Sequence, residues 1–251
     1  MSLRTINDES KSSRTRQRIL DAAAACFSEL GYAGVNLRTI AARAKMKAGS
    51  LYYHFDSKDE LVEEVIRVGL ATAVSATRGA VQVLGRDADP IVKLRAAIAA
   101  HLTTILAESD YASADLRILA QLPEPIRKRH MERQRQYGAF WSSLLQRAAA
   151  SGRLRRDLNL SVVRMLILGA LNWSVEWYRP DGETPGEISE HLSAMILDGL
   201  LAKEGVPTET RWFTLGARHA DDTSSGRREG KGKPRSARSA RGRRTWRDRG
   251  S

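Results

Sequence analysis

The sequence predicts an all-α fold, with a short N-terminal module of three helices followed by a larger C-terminal helical body. Three observations lead there. Apolar residues recur at the 3.6-residue helical period through most of residues 14–205. No stretch alternates apolar and polar with the period of a strand, and no Asn-Gly or Asp-Gly pair sits between such stretches as a hairpin turn. The apolar share of 42% is enough for a sizeable buried core in a chain of 251 residues.

The elements follow in order. Residues 1–13 read as a flexible N-terminal arm, and a first helix starts near Arg14. It places Ile19, Ala23, Cys26, Phe27 and Leu30 on one face before Gly31 closes it. Asn36 caps a second helix, whose Ile40 and Ala41 look inward. Lys45, Met46 and Lys47 make the turn, with Met46 plugging the small core. A third helix spans residues 48–55, with Leu51 and Phe55 as its inward pair at i and i+4. Ser57 and Glu60 form a capping box that opens a fourth helix toward Gly79.

In the body, Asp89-Pro90 supplies a cap and a first-turn proline for a helix with Leu94, Ile98, His101, Leu102 and Ile105 on one face. A helix with Leu116, Leu119 and Leu122 ends at the Pro123 and Pro125 joint. A long helix then carries Tyr137, Phe140, Trp141, Leu144, Leu145 and Ala148 as far as Gly152. Residues 161–178 are apolar nearly all round, which calls for burial on more than one side. After the Pro180-Asp-Gly182 turn, Ile188, Leu192, Met195, Ile196, Gly199 and Leu200 form a further stripe. Two such helices suit a homodimeric four-helix bundle, the alternative being a monomer core covered by the other helices. The predicted domains are residues 14–60 for DNA binding, 61–205 for effector binding and dimerisation, and 206–251 as a basic disordered tail.

The net charge of +12 is concentrated at the two ends of the chain. Residues 218–251 hold 12 Lys/Arg against 4 Asp/Glu, and residues 1–56 hold 9 against 5. Residues 57–217 are neutral, with 20 of each sign. A phosphate-binding head and tail around a neutral body is the pattern this suggests. The tail is either a non-specific nucleic-acid tether or a solvated appendage; if the former dominated, the chain would be a general nucleic-acid binder driven by its arginines. No secretory segment and no run of about 18 uncharged apolar residues is present, so a cytoplasmic protein without a membrane is expected. Cys26 is the single cysteine and reads as a small core hydrophobe. No Gly-x-Ser-x-Gly elbow, His-Glu-x-x-His, phosphate-cradling glycine loop or Cys/His metal spacing occurs. An enzyme, a cofactor and a metal are therefore not expected.

The chemistry sits in residues 36–58. A DNA-reading helix must fit the major groove and be flanked by groups that grip phosphate. Ala48 and Gly49 are small and let the third helix approach base edges. Ser50, Tyr52 and His54 offer polar groups outward, and Tyr53 reaches for bases with its ring and hydroxyl. Arg38 suits a bidentate contact to guanine, Lys47 and Lys58 bracket the helix with positive charge, and Thr39 with Arg14, Arg16 and Arg18 can hold the flanking backbone.

Gly31-Tyr32, Ile40-Ala41, Gly49-Ser-Leu-Tyr-Tyr-His-Phe55 and Ser57-Lys-Asp-Glu-Leu61 occur in order at fixed separations, and this pattern resembles the TetR family of bacterial transcriptional regulators. The resemblance implies base contacts from Arg38, Ala48, Gly49 and Tyr53 and phosphate contacts from Ser50, Tyr52, His54 and Lys58. It departs at Lys47, where a Ser or Thr cap is common. Leu168 to Pro180 is similar to a subgroup linked to lipid, sterol or acyl-coenzyme A catabolism. The implied partners are a double-stranded operator, a second copy of the chain, and a small apolar effector of which an acyl-CoA is one class. Candidate effector contacts are His101, Tyr137, Trp141, Asn172, Trp173 and Trp177. Of these, His101 reads equally as a satisfied core histidine, and Asn172 needs a buried partner of some kind. Arg127, Lys128, Arg129, Arg133 and Arg135 make a basic cluster that is either a solvated face or a seat for coenzyme A phosphates.

Overall fold

The computed structural model describes residues 3–107 and 109–201, with side chains from residue 11 onward except Ser109. The expected basic tail lies outside these residues. The elements are α1 (Leu3–Gly34), α2 (Leu37–Arg43), α3 (Ala48–Tyr52), α4 (Lys58–Val83), α5 (Pro90–Ala107), α6 (Ser109–Ile118) with a 3₁₀ turn at Leu119–Gln121, α7 (Glu124–Ala150), α8 (Leu160–Trp177) and α9 (Pro185–Leu200). Among the described residues there is no strand, only one isolated bridge between Leu154 and Leu201. The all-α prediction holds.

Helix ends follow the local chemistry, with some shifts. The backbone is already helical from Leu3, so residues 3–13 continue α1 where an arm was expected; no Pro or Gly interrupts propagation from the strong segment that follows. Gly31, at φ 69°, breaks the helical path three residues before α1 ends. Helix α3 is shorter than expected. Tyr53 is its C-cap, and the amides of His54 and Phe55 both close on the Leu51 carbonyl, so Phe55 still reaches the core. Ser57 caps α4 as anticipated, accepting from the Glu60 amide at 3.0 Å, but the Glu60 carboxylate accepts from Asp56 N one residue upstream of the expected partner. A full capping box instead forms at Thr184 and Glu187, where α9 begins.

Two apolar cores hold the helices. The first joins Ile19, Ala23 and Phe27 of α1, Ile40, Leu51 and Phe55 of the reading module, and Leu61, Val65 and Ile66 of α4. Cys26 is buried within it, and Met46 packs against its edge. It also takes in Tyr111, Ala114 and Ile118, so α6 lies along α1. The second core centres on Leu94, Ile98 and Leu102 of α5, Trp141 and Leu145 of α7, Ile167 and Leu171 of α8, and Leu197 of α9. Helix α4 contributes to both, since its N-terminal half fills the first and Ala73 the second. Among the described residues α5 is the one helix long and apolar enough to cross a membrane, and half of it is buried inside this body.

Within the described residues helix α8 is covered on one side only. Val163, Ile167 and Leu171 face the core, while Val162, Met165, Leu166, Trp173 and Trp177 are exposed, as is Met195 on α9. An apolar face this extended is left uncovered by the other described helices.

Candidate nucleic-acid interface and the polar centre of the body

The reading module is held from behind. The Asn36 carboxamide accepts from the Thr39 amide at 3.0 Å and fixes the start of α2. The turn into α3 passes through Lys45 at φ 54°, and the Met46 amide closes on the Ala41 carbonyl at 3.0 Å. Lys47 then occupies the N-cap of α3 without a side-chain cap bond, as its side chain offers no acceptor. Leu51 is fully buried, and this anchors α3 by one edge and turns the other outward.

On that outward edge Gly49, Ser50, Tyr52 and Tyr53 are exposed, Tyr53 by 84%, with Ala48 and His54 half-buried beside them. The Tyr53 and His54 rings meet edge to face with centroids 5.3 Å apart. Arg38 is exposed at the first turn of α2, with Thr39 half-buried next to it. Val35, Asn36, Leu37, Arg38, Tyr52 and Lys58 line an open trough of about 450 Å³. Lys58 donates to the Tyr32 carbonyl at 3.0 Å and sits 4.0 Å from the centre of the Tyr32 ring. The Tyr32 hydroxyl in turn donates to the Asp59 carboxylate. Burial, and then that bond, push the Tyr32 hydroxyl up to about 12.

Charge pairing separates cations that build the module from those left over. Arg43 grips Glu29 through two nitrogens at 2.6 and 2.7 Å. Arg16 reaches Glu64 at 2.8 Å with its guanidinium over the Phe55 ring, and Arg18 donates to the Ala44 carbonyl at 2.7 Å. Arg67 and Arg16 together hold the Glu64 carboxyl down to about 2. Arg16 and Arg18, expected to flank the DNA backbone, are therefore engaged by partners within the protein, although Arg18 remains exposed. Arg38, Lys45 and Lys47 have no ion pair or hydrogen bond among the described residues, and all three are exposed on this side of the module.

The joint between module and body was not legible in the sequence. The Tyr111 hydroxyl donates to Asp21 at 2.8 Å, Arg117 donates to the Ser28 carbonyl at 3.1 Å, and the Gln121 carboxamide accepts from the Ala33 amide at 3.3 Å. These partners lie about ninety residues apart, and no periodicity announces them.

Within the body, the structure brings His101 and Tyr137 together. His101 is 3% exposed; its Nδ1 lies 2.9 Å from the Tyr137 hydroxyl and its Nε2 3.1 Å from the Asn172 amide. Tyr137 donates onward to Thr77 at 2.8 Å, and Trp141 packs edge-on against the imidazole. Burial pushes the imidazole down to about 4. Thr77 was not anticipated, because a lone threonine in an amphipathic helix carries no signal. Trp173 and Trp177 are a correction. They are 64% and 50% exposed on the outer face of α8, since the helical turn that points Leu171 and Ser174 inward points these two away. For the basic cluster of α7 the structure fits the first of its two readings, a solvated face. Arg129 and Arg133 share Glu63, Arg127 and Lys128 share Glu124, and Arg135 pairs with Glu132, so each cation already has a carboxylate partner and much of the cluster's charge is offset.

Comparison with known proteins agrees with this arrangement. Residues 19–65 match the family of bacterial regulatory proteins, tetR family, and residues 87–200 match the tetracyclin repressor-like C-terminal domain. The HTH-type transcriptional repressor KstR2 of Mycobacterium tuberculosis is 32% identical over 200 residues, which cover 76% of this chain and 94% of that protein. The solved structure of the ketosteroid transcriptional regulator KstR2 from the same organism superposes with a TM-score of 0.68 at 28% identity, over 75% of this chain and 95% of that one. AibR in complex with isovaleryl coenzyme A and operator DNA superposes with a TM-score of 0.63 at 26% identity, over 72% and 97%. With the turn-linked helices, the outward edge of α3 and these likenesses in hand, the chain belongs to the TetR family and is a helix-turn-helix DNA-binding transcriptional regulator, not an enzyme.

Proposed function

We propose that this regulator is a cytoplasmic repressor that binds a palindromic operator as a homodimer and lets go when a small apolar effector enters the body. The observation that carries the reading is the outward edge of α3, whose small and aromatic residues lie beside the Arg38, Lys45 and Lys47 cations that no described residue pairs. Arg38 and Tyr53 read base edges, and Ala48 and Gly49 let the backbone approach them. Thr39, Lys47, Ser50, Tyr52, His54 and Lys58 hold phosphates. The bare apolar face of α8, with Met195 of α9, supports pairing with a second copy, which would set two α3 helices roughly 34–36 Å apart, one DNA turn. Arg38→Ala and Tyr53→Ala should abolish sequence discrimination in a footprinting assay against sites selected from a random DNA library. Unchanged footprints from both variants would contradict the assignment.

For the effector, an acyl-coenzyme A thioester is the class proposed, sensed through His101, Tyr137, Trp141 and Asn172. The coenzyme A complex of AibR supports it by analogy. With the α7 arginines already paired, the acyl part rather than the phosphates would carry the recognition. Full switching from 1:99 to 99:1 requires the effector to prefer the released state by about 5.5 kcal/mol. Calorimetry with a series of acyl-CoAs tests the class, and absence of binding to all of them removes it.

A further inference from the structure

The hydrogen bonds around His101 have a direction, and one end fixes it. The Thr77 hydroxyl lies 2.7 Å from the Ala73 carbonyl, which can only accept, so Thr77 donates there. A hydroxyl has one proton. Thr77 must then accept from Tyr137 at 2.8 Å, and Tyr137, its proton spent, must accept from His101 Nδ1 at 2.9 Å. Run the other way, the Thr77 and Ala73 oxygens would face each other at 2.7 Å with no proton between them. His101 therefore carries its proton on Nδ1 and presents a bare lone pair at Nε2. No carboxylate or guanidinium acts on this imidazole, and burial keeps it neutral at physiological pH.

The residue facing that lone pair is Asn172, at 3.1 Å. Its amide must turn its NH₂ group toward Nε2, since an amide oxygen there would set acceptor against acceptor, and the two orientations of a carboxamide differ only in which atom is assigned to which position. Asn172 is half-buried whereas His101 is closed off, so Asn172 is the side chain that covers the outer nitrogen. It is also the group an incoming ligand can replace at least cost, because its amide can find water instead.

Resting on the effector reading above, we propose that the buried end of the effector carries an uncharged hydrogen-bond donor, a hydroxyl, which displaces Asn172 and donates to His101 Nε2. A methyl terminus leaves the lone pair unsatisfied once Asn172 has moved. A carboxylate terminus sets a buried anion against an acceptor, and the Arg78 charge acts on Tyr137 rather than on the imidazole. The selectivity belongs to the Thr77–Tyr137 pair, which positions the proton, as much as to His101.

The test uses the full-length protein and three decanoyl-coenzyme A thioesters that end in a methyl, a hydroxyl or a carboxylate. Calorimetry should rank the hydroxyl at least fivefold above the methyl and at least tenfold above the carboxylate. Tyr137→Phe, which keeps the ring and removes the lock, should shrink the hydroxyl-to-carboxylate ratio at least threefold. Histidine-selective ¹⁵N NMR of the ligand-free protein should show the Nδ1–H tautomer at His101, and a mixture in Tyr137→Phe. Methyl and hydroxyl affinities within twofold of each other, a carboxylate that binds as well as the hydroxyl, or an Nε2–H tautomer would each overturn the proposal. If none of the three thioesters binds, the acyl-CoA reading fails and takes this selectivity with it; a failure of the selectivity alone shows as binding without the ranking.

Discussion

Gln121 lays its side-chain amide against Gly31, where a Cβ would stand 3.1 Å from its oxygen, and the same oxygen accepts from the Ala33 amide. The turn after α6 thus closes over the end of α1 at the one point where α1 leaves the helical path. Gly31→Ala would meet two costs, the left-handed backbone at φ 69° and the crowding by Gln121. A loss of about 1–2 kcal/mol is expected, or roughly 2–8 °C in Tm for a chain of this size. Adding Gln121→Ala should recover the crowding part and leave the backbone part, which calorimetric melting of the two variants resolves.

Tyr111 makes the neighbouring tie, donating to Asp21 and accepting from Gln17 at 3.1 Å. Tyr111→Phe removes both bonds and preserves the buried ring. If α6 carries the effector signal to the reading module together with α4, operator affinity in the absence of effector should change by less than about threefold. The effector concentration needed for release should rise several-fold. Fluorescence anisotropy of labelled operator, titrated with the thioester that binds, reads both quantities, and an unchanged release curve assigns transmission to α4 alone.

Most of the helices, their caps at Asn36 and Ser57, and the outward set on α3 were readable because each depends on residues within one or two turns of chain. Two kinds of feature were not. The ties of α6 to α1 join residues about ninety positions apart, and the fate of each polar group depends on which partner folding brings to it: Arg16 and Arg18 find one within the chain and Arg38 finds none among the described residues, although all three look alike as sequence. The apolar run in α8 was read as burial, yet an apolar circumference does not say whether the second covering comes from the same chain or another. Trp173 and Trp177 were assigned to an interior for that reason, and they stand on its outside.

At the DNA surface the two classes of contact should separate by salt. Lys58→Ala is expected to weaken binding to all sequences alike and to lower the slope of log affinity against log salt by about one. It should also lower Tm slightly, because Lys58 is bonded to the Tyr32 carbonyl and stacked on its ring. Lys47→Ala, whose ammonium has no partner among the described residues, should give the same change in slope with no change in Tm. Arg38→Ala should cost about 1–3 kcal/mol at its preferred base and relax the preference there. Equal losses on specific and random DNA for Arg38→Ala would reassign it to phosphate.

Pairing through α8 predicts a polar-substitution effect that leaves the fold intact. Leu166→Glu and Trp173→Glu alter side chains that the single chain leaves exposed, so helix content and the first core should survive. Sedimentation equilibrium should find wild-type dimers and variant monomers at micromolar concentration. Loss of the dimer should reduce affinity for a full palindrome far more than for a half-site, since the second reading helix then binds as a separate molecule. Dimers that persist in both variants would place the pairing surface elsewhere.

The last prediction concerns acid. His101 is ordinarily protonated below 6.5, but burial in the folded protein lowers that to about 4. Between these values the unfolded chain binds a proton that the folded chain does not, so stability increases with pH across the window. The contribution is complete above 6.5 and is lost progressively as pH falls to about 4, below which both states are protonated and no further loss follows. At about 1.4 kcal/mol per unit, the fall between pH 7 and pH 4.5 from this one group is about 2–3 kcal/mol. The carboxylates held low by arginine, Glu64 at about 2 among them, begin to contribute only as the pH falls toward their usual value near 4.5, so the upper part of the window belongs to histidine. Urea denaturation of wild type and of His101→Gln at half-unit steps should show the variant less stable at pH 7 and much flatter from 6.5 to 4.5, with the two curves converging toward acid. Parallel curves would mean that His101 takes up its proton at the same pH folded and unfolded, and the desolvated imidazole on which the hydroxyl selectivity depends would be wrong.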